Sequence, residues 1–264
     1  MFTDTHCHID FEVFEKDRKQ ILQNCLKKNI QRIIVPSVRA VVWEKTLEVC
    51  RAKSDSTPVM LPALGLHPFF LAEHSEKDIN LLEEYAKKTP LKAIGEIGLD
   101  FYLKDLNKDK QVFYFQQQLV IAHKYSLPVL IHARKSHQDI IQLLKKYRPL
   151  TGIIHAFNGS EVQAKEYIEL GLKLGFGGAF TYPGAKKLRY LVSHLPLQAM
   201  LLETDSPDML PCFIKKSATT PAPANSPESI IGIFNEFVSL REETSVEIES
   251  QLEKNILALF PKNL

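Results

Sequence analysis

The sequence predicts an α/β fold, a single (β/α)8 barrel of the TIM type, and three observations support this prediction. Short runs rich in β-branched and apolar residues alternate with segments that carry apolar residues at helical spacing, which is typical of parallel βαβ units. Eight such runs occur, and they start about 28 residues apart, close to an eighth of the roughly 250 residues of such a barrel. We therefore expect one barrel domain over residues 1–264.

The eight candidate strands follow one another along the chain. They cover residues 2–9, 32–38, 60–66, 92–99, 128–133, 152–157, 172–180 and 199–204. The intervening segments carry apolar stripes, for example Ile21, Leu22, Cys25 and Leu26, which predict amphipathic helices. An open, doubly wound sheet is the structural alternative, but no G-x-G-x-x-G pattern follows the first strand. A closed barrel is therefore favoured.

The pattern changes after the eighth strand. Residues 206–227 hold five of the fifteen prolines together with Lys215 and Lys216, so this segment is predicted to be an irregular loop at the mouth of the barrel. Ser226 and Pro227 then suit the start of a helix, with a capping side chain followed by proline at the first helical position. Thr244 and Glu247 form a predicted capping box. Two helices are expected to close the chain.

Composition narrows the functional class. The 33 basic and 31 acidic residues leave a net charge of +2, and 45% of residues are apolar, which excludes a disordered chain and gives no electrostatic argument for a nucleic-acid partner. The first residues lack the basic and apolar regions typical of a signal peptide, and no apolar run is long enough for a membrane span. Four widely spaced cysteines suit reduced thiols. We expect a cytoplasmic protein that needs neither a membrane nor an obligate protein partner.

Polar residues concentrate where the candidate strands end, which is where TIM barrels place their active sites. The first strand ends in His6-Cys7-His8 and the third in His67; the fourth carries Glu96 and Asp100, the fifth His132, the sixth His155 and the eighth Glu203-Thr204-Asp205. Since successive strand residues point to opposite faces, His6 and His8 are expected to face the barrel lumen together and to chelate one ion.

Four lumen-facing histidines and two carboxylates would be costly to bury unless a cation compensates them. The expected ligands are His6, His8, Glu96, His132, His155 and Asp205. Six ligands exceed what one tetrahedral zinc uses, so we expect two divalent ions, with Glu96 able to bridge them. Imidazole and carboxylate ligands suit Zn, Mn, Co or Ni, while Mg would prefer more oxygen; the sequence leaves the metal identity open.

Six motifs in order along the chain carry a resemblance to a known family. They are Thr3-Asp4-Thr5-His6-Cys7-His8, Gly65-Leu66-His67-Pro68, Gly95-Glu96-Ile97-Gly98-Leu99-Asp100, Pro128-Val129-Leu130-Ile131-His132-Ala133-Arg134, His155-Ala156-Phe157-Asn158-Gly159-Ser160 and Leu202-Glu203-Thr204-Asp205-Ser206-Pro207. Together they resemble the TatD family of metal-dependent deoxyribonucleases over nearly the whole chain. The resemblance implies an amidohydrolase-like TIM barrel with two divalent ions that hydrolyses phosphodiester bonds, often as a 3′ to 5′ exonuclease on DNA.

The resemblance also implies how the ligands divide. His6 and His8 with Asp205 would hold one ion, His132 and His155 the other, and Glu96 both. The chain departs from the family pattern after the eighth strand, where many members carry Arg-Gly-Lys-Arg-Asn-Glu-Pro and residues 223–228 read Pro-Ala-Asn-Ser-Pro-Glu. Unless Lys215 or Lys216 replaces the missing basic residues, substrate is expected to be held by the metals and a few local cations.

The catalytic hypothesis is attack on phosphorus by a water that the ions activate. Asp205 is the candidate general base, beside the bridging Glu96. Arg134 is expected to hold a phosphate in its planar fork, although it could simply pair with a carboxylate. His67 is expected to bind substrate or to donate to the leaving group, with fixation of the loop before Pro68 as the alternative. Glu203 could orient a ligating histidine.

The sequence leaves two rival functions open. In the first, the same two-metal site hydrolyses a small phosphoester, amide or aminoacyl ester. The expected substrate is therefore DNA, with RNA or a small phosphoester as alternatives. In the second, the chain is a non-catalytic nucleic-acid-binding barrel. Loss of metal ligands would be the signature of the second, and all six are present.

Overall fold

Eight parallel strands form one sheet in the order of the chain, β1 to β8. The computed structural model describes residues 1–52, 54–148, 150–214 and 224–260. The strands are β1 (Phe2–Asp4), β2 (Ile30–Pro36), β3 (Val59–Leu64), β4 (Ala93–Asp100), β5 (Val129–Arg134), β6 (Gly152–Ile154), β7 (Leu172–Phe176) and β8 (Met200–Leu202). The N–H of Thr5 donates to the carbonyl of Leu202 (3.2 Å), which brings β1 to β8 and nearly closes the barrel. The predicted barrel fold is confirmed.

Helices connect the strands and pack around the sheet. They are α1 (Arg18–Lys27), α2 (Trp43–Arg51), α3 (Glu76–Lys88), α4 (Lys108–Lys124), α5 (His137–Leu144), α6 (Glu161–Glu169), α7 (Lys186–His194), α8 (Ile230–Val238) and α9 (Ser245–Leu259). The capping box predicted before the last helix is present, because the Thr244 side chain accepts from the Glu247 N–H and the Glu247 carboxylate from the Thr244 N–H. Ser226 caps a short 3-10 helix, Pro227–Ser229, which leads directly into α8.

Two layers of apolar side chains hold the barrel together. One lies between the sheet and its helices and includes Ile33 and Val35 of β2. The intervening residue, Ile34, joins a second cluster with residues of the other strands and of α9: Leu61, Ala63, Ala93, Leu130, Ile153, Leu201, Ile256 and Leu259. Since alternate strand residues point to opposite faces, this second cluster fills the lumen. The apolar filling leaves the carboxyl ends of the strands for polar side chains.

Several strands are shorter than their sequence patterns predict. The prediction carried the first strand to residue 9, the sixth to 157, the seventh to 180 and the eighth to 204, whereas β1 ends at Asp4, β6 at Ile154, β7 at Phe176 and β8 at Leu202. Ala156 and Asp205 have φ angles of 44° and 53°, a left-handed conformation that interrupts a ladder. The polar residues of the predicted strand ends therefore lie on short extended segments just beyond the hydrogen-bonded sheet.

The loop after β8 is irregular in the part that is described, as predicted. Residues 206–214 contain one isolated bridge, from Ser206 to Cys7, and turns. Lys215 and Lys216, the candidate replacements for the missing basic stretch, lie outside the described residues. Within the described ranges, no helix is both long enough and apolar enough to cross a bilayer.

Candidate metal centre

Four side chains meet where β1 and β8 end. The imidazole Nε2 of His6 lies 3.2 Å from Glu96 Oε2 and 3.8 Å from Asp205 Oδ1. His8 Nε2 lies 3.6 and 3.7 Å from the same two oxygens. The extended backbone makes this convergence possible, because Cys7 between the histidines points into the core and is fully buried. His6 and His8 therefore face one point, as the alternation of the sequence predicts.

Glu96, in the middle of β4, turns its other oxygen to a second set of imidazoles. Oε1 lies 3.2 Å from His67 Nε2 and 3.2 Å from His132 Nδ1. One carboxylate thus faces two groups of nitrogen donors, one with each oxygen. Gly65 permits this position, since a Cβ atom there would lie 2.5 Å from the carbonyl oxygen of Glu96.

His155 stands between the two groups. Its Nε2 lies 3.9 Å from Glu96 Oε1 and 3.7 Å from Asp205 Oδ1, and its ring stacks on that of His6 with centroids 3.6 Å apart. The six ligands expected from the sequence are therefore gathered at one place, and His67, which was expected to act on substrate, lies among them.

The spacing and chemistry of these donors fit divalent metal. Donors bound to a tetrahedral ion at 2.0–2.1 Å lie about 3.3 Å from one another, and the spacings here are 3.2 to 3.9 Å. Among the residues that the structure describes, three sets can hold an ion with ligand atoms within 4.8 Å of one another: His6, His8 and Glu96; His67, Glu96 and His132; and His6, His155 and Glu203. Nitrogen and carboxylate donors in such buried sets suit transition metals.

Further carboxylates stand behind two of the imidazoles. Asp100 Oδ2 lies 3.1 Å from His132 Nε2, and Glu203 Oε1 lies 3.0 Å from His155 Nδ1. Such partners fix the orientation of a ligating ring and raise its basicity. Glu203 also accepts a hydrogen bond from the Ala156 N–H (2.6 Å), and Gly175 leaves room for it, because a Cβ there would lie 2.2 Å from Glu203 Oε2.

A buried network ties β1 to β8 beneath the site. The carboxylate of Asp4 accepts hydrogen bonds from the Thr204 N–H (2.9 Å) and hydroxyl (2.5 Å) and from the N–H of His6 (3.3 Å). Burial raises the pKa of Asp4 to about 8, although these hydrogen bonds oppose the rise. His6 lies two residues after Asp4, and Asp205 directly follows Thr204. The position of His6 relative to Asp205 therefore depends on this network.

Charge is distributed unevenly among the metal-free donors. Burial and the neighbouring His155 lower the pKa of His6 to about 4, and burial also lowers the pKa of His67. Burial raises the pKa of Glu96, but His67, His6 and His132 outweigh it and hold that pKa well below its usual value. Neutral imidazoles beside an ionised carboxylate are the states that metal binding requires.

The pKa values of His155 and Asp205 are both raised. Burial lowers the pKa of His155, but the carboxylates of Glu203, Asp205 and Glu96 outweigh it and raise the pKa to about 10. Burial raises the pKa of Asp205 to about 6, against the opposing influence of His155 and His8. The imidazolium of His155 therefore supplies positive charge at a place where a metal cation would replace its proton.

A cavity of about 330 Å³ opens beside the His132 and His155 side of the centre. We call it the Arg134 cavity. Its walls are largely apolar and include Phe157, Phe176, Phe180, Leu188 and Met209. The guanidinium of Arg134 lies 3.8 Å from the centroid of the Tyr102 ring and 3.8 Å from Asp100 Oδ2. Arg134 is thus half exposed at this cavity, and its guanidinium lies near the carboxylate of Asp100. Such pairing is the alternative role that the sequence analysis left open for Arg134.

Some residues of the site were not assigned from sequence. Asp100 is the last residue of β4 and is recognisable in the sequence as a polar strand-end residue, but its pairing with His132 depends on the register of β4 against β5, where Gly98 lies opposite His132. Asp4 was visible only as part of a motif. Four histidines outside the strand ends are expected from their helical or loop positions to face solvent. His123 and His194 are exposed, but His74 and His137 are buried. His74 Nε2 lies 2.8 Å from the carbonyl oxygen of His67 and fixes that loop.

Known proteins are similar to this chain over nearly its whole length. The family model described as "TatD related DNase" matches residues 3–261. The "Uncharacterized metal-dependent hydrolase YjjV" of Escherichia coli (strain K12) is 38% identical over 263 residues, which cover 98% of this chain and 97% of that protein. The "3'-5' ssDNA/RNA exonuclease TatD" of Erwinia amylovora is 29% identical over 250 residues, which cover 94% of this chain and 95% of that protein.

Solved structures agree with the sequence matches. The crystal structure of the TatD homologue YjjV from Escherichia coli K12 matches with a TM-score of 0.90 at 34% identity, covering 99% of this chain and 98% of that one. The TatD-family hydrolase of Entamoeba histolytica has the same fold, with a TM-score of 0.85 at 22% identity over 98% of this chain and 97% of that one. By its family match and its similarity to these proteins, the chain is a metal-dependent hydrolase that belongs to the TatD family.

Proposed function

We propose that the chain hydrolyses phosphodiester bonds of DNA as a two-metal exonuclease acting in the 3′ to 5′ direction. One observation carries the proposal: each oxygen of Glu96 faces its own group of imidazoles, Oε2 toward His6 and His8 and Oε1 toward His67 and His132. A bridging carboxylate is what a pair of ions needs. The Erwinia relative named as a single-stranded DNA and RNA exonuclease supports the choice of substrate.

The donors divide between two ions in this proposal. His6, His8 and Asp205 would hold the first ion, His132 and His155 the second, and Glu96 both. His67 would either complete the second set or turn to the substrate, since its Nε2 lies as close to Glu96 as that of His6 does. Zn, Mn, Co and Ni suit these ligands better than Mg does.

When bound, the ions would lower the pKa of a coordinated water and neutralise charge on the phosphoryl oxygens. Asp205 accepts the proton of the attacking water, because its Oδ1 lies within 3.8 Å of His6, His8 and His155 and it is the carboxylate of the set with the higher pKa. Arg134 binds a phosphate oxygen of the substrate by turning from Asp100 toward the cavity. Asp100 and Glu203 hold the rings of His132 and His155 in place.

A small phosphoester, amide or aminoacyl ester is the second candidate substrate. Its support is the wall of the Arg134 cavity, which is mostly apolar and carries one Arg but no Lys among its described residues. A polyanion is usually held by many basic contacts, and the net charge of the chain is only +2. We further propose that residues 1–264 work as one domain in the cytoplasm, where the four free cysteines would stay reduced.

The test compares wild type with Glu96→Gln and Asp205→Asn after the bound metals have been counted. Substrates are single-stranded DNA, duplex DNA with 3′ overhangs, single-stranded RNA and a generic phosphodiester. Shortening of labelled DNA from its 3′ end that requires metal and is lost in both variants supports the nuclease. Hydrolysis of the small ester alone would reject DNA as the substrate, and full activity in Asp205→Asn would reject its role as base.

A further inference from the structure

A second cavity lies at the barrel mouth on the opposite side of the metal centre. We call it the Phe70 cavity. It has a volume of about 430 Å³, and its lining comes from the segments that follow β1, β2, β3 and β8: Phe11, Val38, Arg39, Val42, Lys45 and Phe70 are among its residues. The Arg134 cavity is lined instead by segments that follow β5 to β8. The two cavities thus flank the metal centre.

The Phe70 cavity adjoins the metal centre, from which it is separated by one aromatic contact. The ring of Phe11 stacks on the imidazole of His8, with centroids 4.6 Å apart and planes 24° apart. His8 is a candidate ligand whose Nε2 faces Glu96 and Asp205. A group bound against Phe11 therefore lies one stacked ring away from the place where the scissile bond would sit.

The charges around the Phe70 cavity are already paired within the protein. Arg39 makes two hydrogen bonds to the carboxylate of Glu73, of 3.0 and 2.9 Å, and its guanidinium lies 4.8 Å from the centroid of the Phe70 ring. Lys45 lies 3.7 Å from Glu15, and Asp10 and Glu12 also line the cavity. No net positive charge is left for a phosphate among these residues, so the cavity suits an uncharged planar group.

Two buried polar atoms of the wall lack partners. Asp10 Oδ1 and Arg39 Nε have no hydrogen-bond partner within the described residues, although the other oxygen of Asp10 accepts from the Thr46 hydroxyl (2.6 Å). Buried polar atoms are rarely left unpaired in proteins. Both atoms have almost no exposed surface, so a ligand reaches them only when the two side chains turn toward the cavity; one acceptor and one donor would then match the edge of a nucleobase, which carries both kinds of group.

We propose that the Phe70 cavity binds the base of the nucleoside on one side of the scissile phosphodiester, while the Arg134 cavity receives the nucleoside on the other side. This inference rests on the proposed phosphodiesterase function. It adds that the enzyme recognises a nucleoside on each side of the phosphodiester. The base lies against Phe11 and Phe70, and the metal centre holds the phosphate between the cavities.

The first experiment measures steady-state kinetics with three diesters on the metal-loaded enzyme. They are thymidylyl-(3′→5′)-thymidine and two thymidine methyl phosphodiesters, in which methyl replaces one nucleoside or the other. Phe70→Ala should raise KM for the dinucleotide and for one methyl diester by about 10- to 100-fold, the usual value of a stacked base. The other methyl diester should keep its KM, and kcat for all three should change by less than about twofold.

Matched variants separate stacking from folding. Phe70→Tyr keeps the ring and should keep the wild-type KM, whereas Phe70→Leu keeps apolar bulk without a flat face and should behave like Phe70→Ala. Phe113→Ala is the control, because Phe113 is an exposed ring on α4 that is not among the described residues lining either cavity. Equal effects of Phe70→Ala on all three diesters, or the same KM change in Phe113→Ala, would overturn the proposal.

A second measurement keeps this proposal separate from the proposed function. Saturation-transfer NMR with free thymidine and adenosine reports base binding without hydrolysis. Because the Arg134 cavity also receives a nucleoside, the signal is expected to fall and not to vanish in Phe70→Ala. A fall that Phe113→Ala does not show supports the base site even if no diester is hydrolysed, in which case the phosphodiesterase function alone fails. Nucleoside binding that is absent from wild type, or unchanged in Phe70→Ala, rejects the base site whatever the kinetics show.

Discussion

The two sides of Glu96 differ in what stands behind their imidazoles. On the first side, His8 Nδ1 lies 3.1 Å from the backbone carbonyl oxygen of Pro36, and the carboxylate of Asp205 is itself one of the donors. On the second side, carboxylates stand one step behind the donors: Asp100 behind His132 and Glu203 behind His155. Each side has one partly exposed member, Asp205 on the first and His132 on the second, so the sides differ mainly in charge and in the freedom of the rings.

In the proposed two-ion centre, this difference predicts unequal metal affinities. A carboxylate behind an imidazole fixes the ring and makes the ligating nitrogen more basic than a carbonyl does, so the second side would hold its ion more firmly. The first side faces the Phe70 cavity through His8 and Phe11. We expect an ion that stays bound on the second side and one that exchanges more readily on the first.

The largest effect on metal binding and activity is expected from substitution of Glu96, which lies between the two sides. Glu96→Gln removes a negative charge that both groups of imidazoles share, so both ions should bind more weakly and kcat/KM should fall about 1000-fold or more, since bound metal stabilises the transition state by several kcal/mol. Metal analysis of the purified variant together with kinetics checks this. Loss of one ion with the other retained would show that Glu96 does not bridge.

Glu203→Gln should weaken the second side alone. Loss of a carboxylate behind a ligating histidine typically costs 10- to 100-fold in metal affinity, so we expect one of two affinities to fall by about that factor while the other stays. Competition with a chelator measures both. Glu161→Gln, an exposed glutamate on α6 paired with Lys165, is the control and should match wild type. An equal fall in both affinities would contradict the separation of the two sides.

The pH dependence of metal affinity should also distinguish the two sides. The pKa of His155 is about 10 without metal, so below that pH an ion on the second side must displace a proton, and its affinity should fall about tenfold for each unit of pH lost from 9 to 6. Asp205, with a pKa of about 6, is already ionised at neutral pH, so the first side should lose affinity only below about pH 6.

Metal titrations followed by calorimetry between pH 5.5 and 8.5 measure these slopes. Because Glu203 is the largest of the influences that raise the pKa of His155, Glu203→Gln should flatten the slope of the second side above pH 6 and leave the first side unchanged. Identical slopes for both ions in wild type would refute the assignment of His155 to the second side.

The smallest expected effect is on thermal stability. Metal at about 100 times its Kd stabilises the folded state by about 2.7 kcal/mol, which should raise Tm by about 5 to 10 °C for a chain of this size. His132→Ala removes a donor of the firmer side and should lose more of this rise than His8→Ala, as measured by calorimetry with and without metal. A larger loss in His8→Ala would reverse the order of the two sides.

Local patterns were sufficient for much of this site. The H-x-H spacing of His6 and His8 predicts that both side chains face one way, because alternation along extended backbone is a local property, and the structure bears this out. The barrel could also be predicted, since alternating strand and helix patterns of regular length leave few arrangements. The ends of the strands could not be predicted; for example, the left-handed residues Ala156 and Asp205, which follow β6 and β8, have no signal of their own in the sequence.

The sequence by itself determined the fold class, the family and which polar residues gather at the mouth of the barrel, because strand ends meet there in any parallel barrel. Only the tertiary structure decided which of these residues contact one another. The register of β4 against β5 sets Asp100 behind His132, and the close approach permitted by Gly65 and Gly175 sets Glu96 between the imidazoles and Glu203 behind His155. Such distances depend on contacts between segments far apart in the chain, which no local pattern records.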